Sequence, residues 1–280
     1  MTTTPPDIAI PLRDLRFHRD CADHPRWWHG GDPVPTAFFN ALSCTFPAGE
    51  KFFMDSVRHY RRSVDPALQA QIGGFIAQEA VHSREHATFN KLAADSGYNI
   101  AKLESRTKRV LDFARTRARE HQLAATCALE HFTAILAQEL LATDGHDFDA
   151  APAEAARLWS WHAIEEVEHK AVAFDTFLAV TAHWSAPRRY ALRVRAMILA
   201  TIILMTTMGA NMRDLFREDG LRGPRVWMRT MGFLFGRPGI LRRVTLPWLS
   251  YFRPGFHPWQ HDDRTALVRA QKRLGIEAVA

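Results

Sequence analysis

Along residues 36 to 183 apolar positions recur three and four apart, without sustained alternation of apolar and polar residues, a periodicity that predicts helices throughout. Start and stop signals divide this region. Asp65-Pro66 and Pro152 with Glu154 open helices, because Pro suits the first helical position and an acidic side chain the first turn. Ser63 to Pro66, Ser96-Gly97 and Thr143-Asp144-Gly145 separate or close them. Four long helices are therefore predicted, near 36–62, 66–95, 104–143 and 152–183, with Pro47 either kinking the first or starting it afresh. Farther on, Ala196 to Met212 is a run of 17 residues without a charge. It is at the short limit for a membrane span and is read as a fifth helix buried over the bundle, with a span or an interfacial helix as alternatives. Asp262-Asp263 is expected to cap a last helix reaching Leu274. The fold class that follows is all-α: a four-helix bundle over 1–185 with additional C-terminal helices over 186–280.

Composition agrees with a folded chain, since 47% of the 280 residues are apolar and 24% charged. Charge is divided unevenly: residues 1–180 hold 19 Lys and Arg against 24 Asp and Glu, whereas residues 181–280 hold 17 against 6. Mixed with Trp and Phe, this basic segment is compatible with contact to an anionic membrane surface through 188–259. Nucleic acid is not expected as a partner, because no recognition signature accompanies the charge. Cys21, Cys44 and Cys127 are widely spaced and form no CxxC pair, so neither a disulfide framework nor a thiolate zinc site is expected. No apolar stretch of signal-peptide length occurs within the first 13 residues, so the expected location is cytoplasmic, with the inner face of the cell membrane as a peripheral alternative.

The polar residues within the helices carry the chemistry. On the second, Glu79, His82 and His86 fall within about 60° of one another at 100° per residue, and His162, Glu166 and His169 form a similar stripe on the fourth. Glu50 and Glu130 sit amid apolar neighbours on the first and third. Two Glu-x-x-His motifs plus one Glu from each of two other helices is a dinuclear ligand scheme, in which carboxylates bridge two cations and each His binds one. Four carboxylates also balance two divalent ions, so such a site is neutral while buried. The candidate ligands are thus Glu50, Glu79, His82, Glu130, His162, Glu166 and His169, with His86 as a further one. Glu85, His131, Glu139, Glu165 and Glu168 are set aside, His131 as an interhelix hydrogen-bond partner.

The order Glu50, Glu79-x-x-His82, Glu130, Glu166-x-x-His169 resembles the ferritin-like di-iron superfamily, and the additional His162 is similar to an extra iron ligand of the arylamine N-oxygenases. More closely, Phe46-Pro47-x-Gly49-Glu50-x-Phe52-Phe53, Gln78-Glu79-x-x-His82-x-x-Glu85-His86 and Trp161-His162-x-x-Glu165-Glu166-x-Glu168-His169-Lys170 resemble a bacterial family of predicted metal-dependent hydrolases over most of 10–260. These resemblances imply two Fe ions, with Mn or Zn as alternatives. Where reductase subunits of the superfamily bear a radical Tyr, this chain has His86, so a stored tyrosyl radical is not expected.

The reading favoured at this point is a di-iron oxygenase that oxidises a small apolar or lipid-like substrate near Ala125, Cys127, Thr133 and Ala134, with electrons from an external donor. The alternative is a hydrolase in which two metals activate a water. A homodimer is compatible with either.

Overall fold

The structure is a computed structural model that describes residues 4–5, 7–17, 25–143 and 148–276. Cys21 and the Asp144-Gly145 stop signal lie outside them. Among the described residues the chain is all-α, with no strand. The helices are α1 (Pro33–Ser43), α2 (Phe46–Arg58), α3 (Pro66–Asp95), α4 (Ile100–Arg115), α5 (Arg119–Ala142), α6 (Ala153–His169), α7 (Val172–Val180), α8 (Ala186–Glu218), α9 (Pro224–Met231), α10 (Ile240–Ser250) and α11 (Arg264–Leu274).

Only α3 is the single helix the periodicity predicts. Asp65 caps it, its carboxylate accepting from the N–H groups of Ala67 and Leu68 at 3.0 Å, and Gly97, at φ +97°, follows its end. The predicted 36–62 helix is two, because Pro47 lies in the first turn of α2 and the chain starts afresh there. Region 104–143 is α4 and α5. No Gly or Pro marks their junction; instead Gln122 of α5 donates to the carbonyls of Arg115 and Arg117, which satisfies backbone acceptors left over where α4 ends. Region 152–183 divides after His169 into α6 and α7.

A 33-residue α8 replaces the predicted buried fifth helix. One of its faces packs on α1 and α5 through Met197, Met208, Met212 and Leu215. Only 28% of its most apolar 18-residue window is buried, with Ile198, Leu199, Ile202 and Ile203 exposed, so the helix covers the bundle with one side alone. The hydrophobic core runs across position 185 unbroken, since Phe38, Met212 and Leu234 share one cluster and Phe174, Met197 and Val244 another. Before α11, whose N-cap is Asp263, the Asp262 carboxylate accepts from the Arg264 N–H at 3.2 Å.

Ahead of α1, residues 10 to 17 lie across α3. The approach is close at Gly74, where a Cβ would stand 2.6 Å from the Ile10 carbonyl oxygen. Glycine there lets Pro11, Arg13 and Phe17 reach the polar residues at the centre of the molecule.

Candidate metal centre

Four helices bring seven of the predicted residues together: Glu50 from α2, Glu79 and His82 from α3, Glu130 from α5, and His162, Glu166 and His169 from α6. None is more than 4% exposed. Their ligand atoms fall into three overlapping groups, each within 4.8 Å: Glu50, His82 and His162; Glu79, Glu130 and His169; and Glu79, His82 and Glu166. Shared by two of these groups, Glu79 and His82 join the set into one cluster.

The hydrogen bonds around the three histidines fix which nitrogen faces inward. Gln78 donates its amide N–H groups to the Pro11 carbonyl and to Glu168, so its oxygen accepts from His169 Nδ1 at 3.0 Å. Glu165 accepts from His82 Nε2 at 2.9 Å. Ser43 donates to Asn90 and therefore accepts from His86 Nδ1; His86 Nε2 then accepts from His162 Nδ1 at 2.6 Å. In the neutral form of each ring the remaining nitrogen carries a lone pair: Nε2 of His169, Nδ1 of His82 and Nε2 of His162. These lone pairs point at carboxylate oxygens. His169 Nε2 is 3.1 Å from Glu79 and 3.6 Å from both Glu130 and Glu166, His82 Nδ1 is 3.7 Å from Glu166, and His162 Nε2 is 2.8 Å from Glu166.

Lone pairs facing carboxylates repel unless a cation or a proton lies between them. Both oxygens of Glu50, Glu79 and Glu130, Oε2 of Glu166, Nδ1 of His82 and Nε2 of His169 are buried without a hydrogen-bond partner. Orphaned buried polar atoms are rare in folded proteins and costly. Convergence of this many, all oxygen or imidazole nitrogen, fits one or two divalent cations.

Electrostatics argue the same way. Burial, reinforced by the neighbouring carboxylates, pushes Glu50 and Glu130 well above the usual carboxylate range, and burial carries Glu79 up to about 7. Burial also keeps His82 neutral. Burial opposes charge on His169 and on Glu166 too, yet their attraction for each other holds the His169 pKa well up and the Glu166 pKa well down. Protein charges alone thus leave the cluster sharing protons, and a cation would displace them.

His86 stands behind His162 rather than in the cluster, its nitrogens engaged by Ser43 and His162. Of the residues set aside, Glu85 accepts from the Phe17 N–H at 2.7 Å and from Arg84 at 2.6 Å. Glu168 takes a two-pronged contact from Arg13 at 2.7 and 2.8 Å. Glu139 pairs with Arg243, and His131 donates to the Pro247 carbonyl on α10, the interhelix role expected of it. Glu165 and Gln78 are what the sequence reading missed. Each immediately precedes a Glu of the cluster and reaches the His of the opposite Glu-x-x-His helix, and that repeated doublet is the signal that could have found them.

A cavity of about 780 Å³ lies beside the cluster, lined chiefly by apolar residues of α2, α4, α5 and α8, including Gly49 and Phe53 next to Glu50 and Leu129 next to Glu130. A second space of about 30 Å³ shares Leu42, Phe46, Thr133 and Leu136 with the large one and ends on His162 and Glu166. That space has room for a single water molecule beside the cluster. Ala125 and Thr133 line the large cavity as expected, whereas Cys127 donates to the Ala173 carbonyl and Ala134 is buried elsewhere.

Neither curated proteins nor solved structures return a match to this sequence. A family model described as predicted metal-dependent hydrolase matches residues 11–262, a description that suits the hydrolase alternative better than the oxygenase reading. Because that span takes in every residue of the cluster and nearly the whole chain, the protein belongs to the family of predicted metal-dependent hydrolases.

Proposed function

We propose that the chain is a hydrolase with a dinuclear centre held by Glu50, Glu79, Glu130, Glu166, His82, His162 and His169, acting on a substrate with a large apolar part. The observation that carries this reading is an apolar cavity of about 780 Å³ beside a water-sized space that shares four of its lining residues and is also lined by His162 and Glu166. Two divalent cations supply Lewis acidity that acidifies water and polarises a scissile ester, amide or phosphoester bond, and two irons supply in addition the capacity to reduce O2. The residues do the positioning. Phe46, Phe53, Leu129 and Phe132 exclude bulk water and hold the apolar portion of the substrate, while Thr133, which lines both spaces, stands where the scissile group would enter. Phe46, Phe75 and Trp161 pack their rings against His162, His169 and His82 at 4.7 to 4.9 Å, which keeps the imidazoles dry and fixed. His86 holds the His162 tautomer and receives its Nδ1 proton through a 2.6 Å hydrogen bond.

A second reading, oxidation of the same apolar substrate with electrons from an external donor, is favoured by the ligand set itself: hard carboxylates and imidazoles with no thiolate suit iron as well as zinc or manganese. The test loads the metal-free chain separately with Zn, Mn and Fe(II) and assays long-chain and aryl esters, amides and phosphoesters. Metal-dependent turnover without O2, abolished in Glu79→Ala, is the expected result. Absence of hydrolysis with every metal, together with O2 uptake by the iron form, would replace it with the second reading.

A further inference from the structure

The outer faces of α8, α9 and α10 combine two features that rarely share a surface. Ile198 and Ile202 of α8, Met228 of α9 and Leu246 and Leu249 of α10 are 45 to 75% exposed. Trp248 of α10 donates to Thr201 of α8 at 3.0 Å, which brings Leu246 and Leu249 to the exposed side of α8, and Arg242 of α10 donates to the carbonyl of Phe235, just beyond α9. The segment is strongly basic: residues 186–253 hold thirteen Arg and three acids, with Arg193 buried and Arg229 and Arg243 paired to Asp32 and Glu139. The three acids are engaged elsewhere, Asp214 with Arg106 and Lys102, Asp219 with Arg26 and Glu218 with the Asn99 N–H. Exposed Arg195, Arg222, Arg225 and Arg237 have no ion pair among the described residues.

The hydroxyls on this face are satisfied without solvent. Thr201, Thr206 and Thr245 each donate to the carbonyl four residues back, at 2.7 to 2.8 Å. The large cavity opens here as well, since its lining residues Leu199, Ile203 and Phe113 are 40 to 61% exposed and Arg195 stands at the rim. By length and composition α8 could cross a bilayer. Its inner side, however, is core, with Met197 and Met212 buried and Asp214 paired to Arg106, so the helix lies on the body of the protein.

We infer that this face docks on an anionic lipid bilayer, with its apolar residues in the interface, its Arg side chains on headgroup phosphates, and the cavity mouth turned toward the lipid. Apolar area and cationic charge reinforce each other in such binding. Resting on the proposed function, the inference adds the substrate class: an amphiphile delivered from the membrane.

Flotation with vesicles tests it, using phosphatidylcholine alone and phosphatidylcholine with 30% phosphatidylglycerol. The wild-type chain is expected to float with the anionic vesicles at least tenfold more than with neutral ones, less so in high salt. Ile202→Asp and Leu246→Asp, both at exposed sites that leave the core intact, are expected to lose tenfold or more while keeping the helical circular-dichroism signal. Glu79→Ala should bind vesicles like wild type, so failure of the metal reading and failure of docking are separable. Wild-type protein that stays with the soluble fraction at low salt, or anionic binding untouched by both substitutions, overturns the inference. So does a dimer that these substitutions dissociate, which would show the face covered by a second copy of the chain.

Discussion

Gln78 has its amide tied down at both ends, the nitrogen by the Pro11 carbonyl and Glu168 and the oxygen by His169 Nδ1. That arrangement chooses the His169 tautomer and aims Nε2 at Glu79 and Glu130. Outer residues of this kind commonly change metal affinity 10–100-fold when removed. Gln78→Ala is accordingly expected to weaken divalent-cation affinity by about that factor without altering the number of sites, as a calorimetric titration would show; unchanged affinity would mean that His169 does not bind metal. The Glu-x-x-His spacing made the inward-facing residues legible, because helical periodicity alone puts them on one stripe. Gln78 and Glu165 were not, since each lies about 40° beyond the edge of its stripe and gains its meaning only from the helix opposite.

Helices show the same division between local and tertiary causes. Asp65-Pro66 and Ser96-Gly97 delimit α3 because cap, proline and positive-φ glycine act within one turn of chain. The breaks between α4 and α5 and between α6 and α7 carry no such residue, and the first is stabilised by Gln122 reaching back from the next helix. Periodicity also cannot tell a buried helix from one apolar on both sides, which is why α8 was read as interior. A tertiary constraint of another kind fixes Gly74, under the carbonyl of Ile10. Gly74→Ala improves helix propensity, yet it must displace the segment bearing Pro11 and Arg13. We expect a net loss of about 1–3 kcal/mol, the usual cost of overpacking, visible as a lower midpoint in urea. A stabilised variant would show that residues 10 to 17 move aside freely.

At the scale of the molecule the buried cluster sets how stability depends on pH. Glu50, Glu79 and Glu130 have folded pKa values raised above the ordinary 4.5, so the metal-free fold loses stability as pH climbs through that value toward the raised ones. His82 and His131 are lowered, the latter to about 3, by burial; they remove stability as pH falls below 6.5 and oppose the carboxylates in that range. Above pH 6.5 these two histidines are neutral in both states, whereas His169, held above that value by Glu166 and Glu79, adds to the loss of stability as pH rises. A bound cation removes the dependence by taking the place of the protons.

Thermal unfolding of the metal-free chain from pH 7 to 8, repeated while a divalent cation is titrated in, tests whether this cluster is a dinuclear metal site. The melting temperature should fall with rising pH in the metal-free protein, rise on adding cation and level off at two equivalents per chain. A melting temperature that falls with rising pH but ignores added cation would contradict the assignment and leave the seven residues as a buried proton-sharing network.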